Sequence, residues 1–432
     1  MDASTLRDPE RSEIDGPPRA RRHHLVAAAR RVLRDEWVPM LQVGILAGLL
    51  AAPLLHQALH GGSVLGANDF PIHIRRALLF DVWPFHPLVP HALGHVLIRG
   101  AYVISRANDP AGPVLVLVVV ARAVYGSIVY LLMRGVLDGT GPRLRHAWSA
   151  AATIVCLLVE SPRVLIDGIL LRQGDAFVPL QLLMGPTDLL SLPLTLLTVS
   201  GVVRLVRRSA AGRRPGPLTW ALPVVVVLGI MGKQSLFQGT IMLLLPWGAW
   251  WAWRTHGSIR RVLRDLLILV IVPASATLAW QVWWLRHGMG GDGDQSSIVL
   301  DPLAGYRYAG LSFVGLLACW LPAAGIIAGG RRFLTDPKVV LLAGGTIVGA
   351  AQFLLFVETG WRYDNGNMGK AWSTCLLLWS IESVRWTTAA VQDAWGRRAL
   401  SIRAVASASL VLVFFVSGVF AWASDSFPLQ VL

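Results

Sequence analysis

The residues best suited to chemistry lie in one short stretch, NDFPIHIRR, at positions 68–76. Asp69, His73 and Arg75 fall there together, in a chain whose residues are 54% hydrophobic and only 15% charged. A carboxylate beside a membrane can act as a general base toward an acceptor hydroxyl, or can bind a divalent cation. Asp69 is also placed to begin a helix, because Pro71 fits an early helical position. The stretch therefore predicts either a catalytic base or a helix start.

Basic side chains in other polar segments could bind a phosphate group, arginine by a two-pronged contact and lysine as a point charge. Contact with lipid headgroups is the alternative for Arg75. Lys233 is the most distinctive, because it interrupts the apolar stretch 219–253, and a lysine at the membrane centre costs about 2.5–3.5 kcal/mol on insertion scales. We therefore expect a ligand or a partner at Lys233. The residues predicted to bind substrate or phosphate are His73, Arg75, Arg172, Lys233, Arg362, Asp364, Asn367, Lys370, His91 and His95.

Two of these residues, His91 and His95, have the i, i+4 spacing that places two imidazoles on one face of a helix. The sequence indicates no third ligand for a metal, so hydrogen bonding to substrate hydroxyls is the favoured role. Asp69 and Asp364 are the carboxylates that could hold a divalent cation such as Mg²⁺ or Mn²⁺. No other cofactor is suggested.

The elements that carry these residues belong to a chain of 432 residues whose mean hydropathy, +0.56, is too high for a soluble globular domain. The formal net charge is +14, but the arginines lie in short blocks between apolar runs, where they set membrane topology, so we expect no nucleic-acid partner. We predict an all-α polytopic membrane protein with about eleven transmembrane helices. The predicted spans are about 37–59, 112–133, 147–166, 188–206, 219–232, 235–253, 263–285, 307–329, 338–357, 370–385 and 403–424.

The positive-inside rule orients these spans with the N-terminus in the cytoplasm, because basic blocks recur in every second loop. Residues 1–36 are predicted to form a basic cytoplasmic tail, and residues 37–432 a single transmembrane domain. Residues 60–111 form a long first outer loop, in which the stretch 83–105 is predicted to be an amphipathic helix at the interface with membrane lipids. In this topology all the candidate site residues lie on the outer side.

This order of elements resembles the GT-C superfamily of membrane glycosyltransferases: a short basic tail, one span, a long outer loop that opens with an acidic motif, an interfacial helix and many further spans. Four short stretches also look like an uncharacterised bacterial branch found with surface-polysaccharide functions. They are NDFPIHI (68–74), PHALGH (90–95), MGPTDLLSLPL (184–194) and ETGWRYDNGNMGKAWS (358–373).

The resemblance implies that Asp69 is catalytic and that the donor is a sugar on a polyprenyl phosphate. The acceptor would be a glycan or lipid of the cell envelope, and the protein would span a bacterial plasma membrane several times. Two alternatives remain: a flippase or transporter for a lipid-linked saccharide, and a polymerase of lipid-linked repeat units. A flippase predicts ionisable residues deep in several spans, but only Arg122 is clearly placed there, with Glu160 or Glu358 as its counter-ion.

Overall fold

The structure is a computed structural model, and almost every residue that it describes is helical. Five helical stretches in this part of the chain are long and apolar enough to cross a membrane, which confirms a helical protein of membrane type. The count of eleven spans stays a prediction. The five stretches are Trp37–Gln57, Ala111–Arg134, Ile259–Trp283, Pro337–Leu355 and Ile402–Phe420. The residues that the structure describes are 18–59, 69–78, 92–134, 142–159, 186–287, 297–301, 320–359, 366–399 and 401–426.

The helices follow one another with few regular elements of any other kind. In the first half they are α1 (Pro18–Leu59), α2 (Asp69–Leu78), α3 (Ala92–Ser105), α4 (Ala111–Arg134), α5 (Pro142–Leu158), α6 (Pro186–Ala210), α7 (Pro217–Trp220), α8 (Leu222–Gly232) and α9 (Gln234–Arg254). In the second half they are α10 (Ile259–Leu266), α11 (Val272–His287), α12 (Pro322–Gly329), α13 (Arg331–Leu334), α14 (Pro337–Leu355), α15 (Gly366–Gly396) and α16 (Ile402–Ser426). A π-helical turn, Leu267–Ile271, joins α10 to α11 within the predicted span 263–285.

Small residues let the long helices approach closely. A Cβ atom added to Gly126 of α4 would meet the Cβ of Ala47 in α1, and the Ser127 hydroxyl donates a hydrogen bond to the Met40 carbonyl at 3.2 Å. In the second half, a Cβ added to Gly349 of α14 would lie 2.6 Å from the backbone of Trp372 in α15. Close contact of this kind is typical of helices that pack within a membrane.

The helices form two groups that share α4 and are also joined by the contact of α15 with α9. One group brings α1, α4, α5, α15 and α16 together, and the other packs α6 against α4, α8, α9 and α10. The helices α9, α14 and α15 then pack against one another. One apolar core runs through both groups, with Tyr125, Val226 and Leu376 among its buried members.

Two strands complete the described part. β1 (Ser297–Leu300) pairs antiparallel with β2 (Phe356–Thr359), with Ile298 opposite Glu358. The backbone N–H of Asp301 donates to the Leu355 carbonyl at 2.9 Å and extends the pairing. The strands join the segment that follows α11 to the segment that follows α14.

The helix ends differ from the predicted spans in several places. α1 begins at Pro18, within the predicted tail, and α15 continues to Gly396, well beyond the predicted limit at 385. Within the predicted interfacial stretch 83–105, the described helix covers Ala92–Ser105. One face of α3 is buried, while Val103 and Ile104 are exposed on the other, as expected for a helix that touches lipid. Most of the predicted span 307–329 lies outside the described residues.

Candidate functional site

Asp69 is the first residue of α2, at the helix start that the sequence predicts. Pro71 follows in the first turn, where its missing N–H removes no helical hydrogen bond. The Asp69 side chain lies outside the described part of the structure, so its role as base or as cation ligand stays a prediction.

His73 of α2 and His95 of α3 form a buried pair. Their exposed fractions are 5% and 0%, and His73 Nδ1 lies 2.9 Å from His95 Nε2. One nitrogen must donate a proton and the other must accept it, so the two rings cannot both be imidazolium across this bond. Both residues were predicted to bind substrate, and the structure brings them into direct contact. The pair is suited to passing a proton along its hydrogen bond.

Arg75 lies on the exposed face of α2. The helix ends at Leu78, whose carbonyl accepts a hydrogen bond of 3.4 Å from Arg99 Nη1 of α3. A cation at a helix C-terminus satisfies a carbonyl and interacts favourably with the helix dipole. Arg99 therefore helps to fix α2 against α3, while Arg75 stays available at the surface.

Lys233 lies between α8 and α9, where the helix breaks. Its backbone is extended (φ −155°, ψ 99°), and its N–H still donates to the Gly229 carbonyl at 3.0 Å. The ring of Phe237 folds back over Gly229, at a distance that excludes any larger residue. Only 3% of Lys233 is exposed, so the break buries a cation instead of presenting it to solvent.

The surroundings of this break are polar. Ser191 of α6 packs directly against Gly232, so closely that a Cβ there would overlap the Ser191 hydroxyl. The amide of Gln281 in α11 is fully buried and donates to the Ile230 carbonyl at 3.3 Å. Both polar residues were missed by the sequence analysis, although Ser191 lies in the quoted stretch 184–194. Gln281 could have been found from the sequence, because it is a lone amide in an apolar run.

The first turns of α15 pack against the first half of α9, which begins directly after Lys233. A Cβ added to Gly239 would lie 3.7 Å from the Cβ of Ala371, and Thr240 Oγ1 lies 3.3 Å from Cys375 Sγ. Lys370 immediately precedes Ala371 in the chain. The backbone therefore places Lys370 and Lys233 at the same end of the helix bundle.

The other predicted site residues are described in part or not at all. Asn367 and Lys370 lie on the backbone of α15, but their side chains are outside the described part. The strand β2 leads directly into the segment that carries Arg362 and Asp364. The residues that lie wholly outside the described ranges are Arg172, Arg362, Asp364 and His91.

Within the described side chains, no group of three or more His, Cys, Asp or Glu residues is arranged to hold a metal ion. Asp69 and Asp364, the two predicted cation ligands, are not among those side chains. The divalent cation therefore stays a prediction.

Ionisable residues are also buried away from this end of the molecule. Arg122 in α4 is 1% exposed, and its guanidinium carbon lies 5.3 Å from the centre of the Tyr125 ring. The side chains of Glu160 and Glu358, its predicted counter-ions, lie outside the described part. Glu382 in α15 is 4% exposed and was missed by the sequence analysis. The i, i+3 spacing of Glu382 and Arg385 was the available signal.

Comparison with known proteins identifies no relative: the chain matches no family, no curated protein and no solved structure.

Proposed function

We propose that the protein is a glycosyltransferase of a bacterial plasma membrane, which moves a sugar from a polyprenyl-phosphate donor to a glycan or lipid of the cell envelope. The observation that carries the proposal is the burial of Lys233 in a helix break at the same end of the helix bundle as the first turns of α15. In a buried site of low dielectric constant a cation interacts with a phosphate more strongly than it does in water, and the phosphate of a lipid-linked sugar has the charge that such a site would bind.

The proposed reaction uses one general base and several cations. Asp69 takes the proton of the acceptor hydroxyl as that oxygen bonds to the anomeric carbon, and the bond from this carbon to the donor phosphate breaks. The phosphate leaves with an additional negative charge. Lys233, Lys370 and Arg362 stabilise that charge, because fixed cations are most effective where charge develops in the transition state.

The helices α2 and α3 support this assignment. They pack against each other and against α6, and α3 also packs against α8. The segment that starts with Asp69 therefore belongs to the same group of helices as the break at Lys233. His73 and His95 follow Asp69 in the sequence, and they are suited to accept or relay the proton that Asp69 removes from the acceptor.

The full chain, purified and reconstituted in proteoliposomes, would be incubated with radiolabelled polyprenyl-phosphate sugars and cell-envelope acceptors. We expect transfer of label, and we expect Asp69→Asn to lower kcat about 10²- to 10⁴-fold, as is usual when a general base is removed. Asp109→Asn is the matched control, because Asp109 is an exposed carboxylate that caps the start of α4. An Asp69→Asn protein as fast as wild type would exclude the base.

Lys233 is tested in the same assay. Lys233→Met removes the charge and should lower kcat/KM about 10²- to 10³-fold, whereas Lys233→Arg should keep part of the activity. Thermal denaturation separates this effect from misfolding. If Lys233→Met is folded and fully active, the phosphate contact is wrong.

A flippase for a lipid-linked saccharide is the second candidate, and the buried charges of Arg122 and Glu382 favour it. A polymerase of lipid-linked repeat units would use the same cations. The assay distinguishes all three, because a flippase leaves the glycosidic linkage intact and a polymerase needs an oligosaccharide donor. Transfer from a monosaccharide donor supports the proposal.

A further inference from the structure

A second candidate site lies at the far end of α15. A cavity of about 830 Å³ is bounded by the α12–α13 corner, the last part of α15 and the start of α16. Trp386, on its wall, lies sixteen residues after Lys370 on one continuous helix, a separation of about 24 Å. The cavity is therefore distinct from the proposed outer site, and it lies at the end that the positive-inside rule assigns to the cytoplasm.

The lining of this cavity is strongly basic. Four arginines, Arg331, Arg332, Arg397 and Arg403, face a single carboxylate, Asp393. Arg397, which directly follows α15, forms an ion pair with Asp393, four residues earlier in that helix. The other three guanidiniums form no ion pair with any residue in the described ranges. A net positive charge is thus left at the cavity.

Packing fixes the backbone that carries two of these arginines, whose side chains are exposed. Gly330 has φ +53° and ψ −133°, a conformation that only glycine adopts readily, and it turns the chain from α12 into α13. The buried ring of Phe333 then packs edge-on against Trp386, with 6.0 Å between ring centres. Arg331 and Arg332 follow directly from this rigid corner.

The third arginine comes from another segment. A Cβ added to Gly330 would lie 3.8 Å from Arg403 Nη1, so the first turn of α16 lies over the corner. Ser401, which precedes α16, also lines the cavity. The N-terminus of this helix of 25 residues adds its free N–H groups and its positive dipole to the arginines. Together these groups form a site for an anion with several oxygen atoms, such as a phosphate.

The surface beside the cavity indicates that the phosphate belongs to a lipid. Trp395 and Ile402, on either side of the basic lining, are 72% and 88% exposed. Only 28% of the most apolar part of the candidate span Ile402–Phe420 is buried, against 39–44% in the other four candidate spans. An apolar helix surface that is this exposed faces acyl chains, and basic pockets between helices on the cytoplasmic side of membrane proteins bind anionic headgroups.

We propose that this cavity, with Arg331, Arg332 and Arg403, binds the phosphate headgroup of an anionic phospholipid from the cytoplasmic leaflet. The inference does not depend on the proposed transferase activity.

Native mass spectrometry of the full chain in detergent would measure lipid binding, with dioleoyl phosphatidylglycerol as the anionic probe and dioleoyl phosphatidylcholine as the zwitterionic one. We expect the triple variant Arg331→Gln, Arg332→Gln, Arg403→Gln to weaken phosphatidylglycerol binding about tenfold or more. The matched control, Arg204→Gln, Arg207→Gln, Arg260→Gln, loses the same charge from exposed positions outside the cavity. It should weaken binding by less than about twofold.

Equal losses in the two triple variants would overturn the proposal, because they would indicate attraction to overall charge. Equal binding of the two lipids by the wild type would also overturn it. Displacement of the lipid by millimolar inorganic phosphate would assign the site to free phosphate instead. If the glutamine variant does not fold, the triple Arg→Lys variant keeps the charge but loses the two-pronged contact, and it should bind phosphatidylglycerol at least about threefold more weakly.

Discussion

His73 Nδ1 and His95 Nε2 lie 2.9 Å apart in the protein interior, although the two residues are 22 positions apart in the chain. The hydrogen bond joins α2 to α3 at the segment that begins with Asp69. The same two histidines therefore hold this segment in place and are the groups proposed to relay a proton.

Replacing either histidine should destabilise the protein, because the remaining ring keeps a buried polar nitrogen. We expect His73→Phe or His95→Phe to lower the free energy of unfolding by about 1–3 kcal/mol, and the double variant to lose less than the sum. Unfolding in mixed micelles measures all three. Strictly additive losses would contradict a direct interaction between the rings.

Glu382, near the middle of α15, is the buried centre of a charge network. Its carboxylate lies 2.6 Å from Arg385 Nε and 3.4 Å from Lys338 Nζ, and Arg385 Nη2 also lies 3.4 Å from Asp336, which caps α14. Glu382→Gln leaves two partly buried cations, Lys338 and Arg385, with a weaker partner and should cost about 3 kcal/mol.

Asp393→Asn is the control for that network, because Asp393 also lies on α15 but its ion pair, with Arg397, is exposed. The expected loss is about 0.2–1 kcal/mol. The same unfolding measurement applies to both variants. A loss for Asp393→Asn equal to that of Glu382→Gln would mean that burial does not set the strength of these pairs.

Gly349 should tolerate no side chain. A Cβ there would lie 2.6 Å from the backbone of Trp372, so Gly349→Ala forces α14 and α15 apart and should cost about 1–3 kcal/mol. Because Trp372 lies two residues after Lys370, the proposed transferase activity should fall as well.

Gly344→Ala, on the same helix, is the control. Its Cβ would meet only the end of the Leu243 side chain, at 3.0 Å, and alanine is favoured over glycine within a helix by about 0.8–1.0 kcal/mol. Gly344→Ala should therefore be neutral or slightly stabilising. Equal destabilisation by the two variants would argue against a specific contact at Gly349.

Acidification should weaken the contact between α4 and α5. Tyr130 Oη lies 2.6 Å from His146 Nδ1, just before the predicted span 147–166. Burial, helped by the charges of Arg134 and Arg145, lowers the pKa of His146 below its ordinary value of 6.5. As the pH falls below 6.5, the unfolded chain takes up a proton at this histidine before the folded protein does, so stability should decrease.

Thermal denaturation between neutral and mildly acidic pH measures this effect. His146→Gln removes the titrating group and should give a flatter dependence of stability on pH than the wild type. Parallel curves for the two proteins would exclude His146 as the source.

Local signals in the sequence were sufficient for much of the fold. The break at Lys233 was predicted between spans 219–232 and 235–253, and the observed helices are Leu222–Gly232 and Gln234–Arg254. Glycine, lysine and glutamine interrupt an apolar run there, and such an interruption is visible without any tertiary contact. The length of α15 was underestimated because its last part is polar. A fall in hydropathy indicates where a membrane span ends, but the helix itself can continue through polar residues until a residue such as glycine ends it.

The sequence by itself determined that the chain is helical, that several helices are apolar enough to cross a membrane, and that a charged residue breaks the pair α8–α9. These properties depend on residue type and on neighbours along the chain. Only the tertiary structure decided that His73 contacts His95, that Lys233 is buried beside α6 and α11, and that Arg403 joins Arg331 at one cavity. Contacts between helices depend on which faces pack together, and the packing of many helices at once sets those faces.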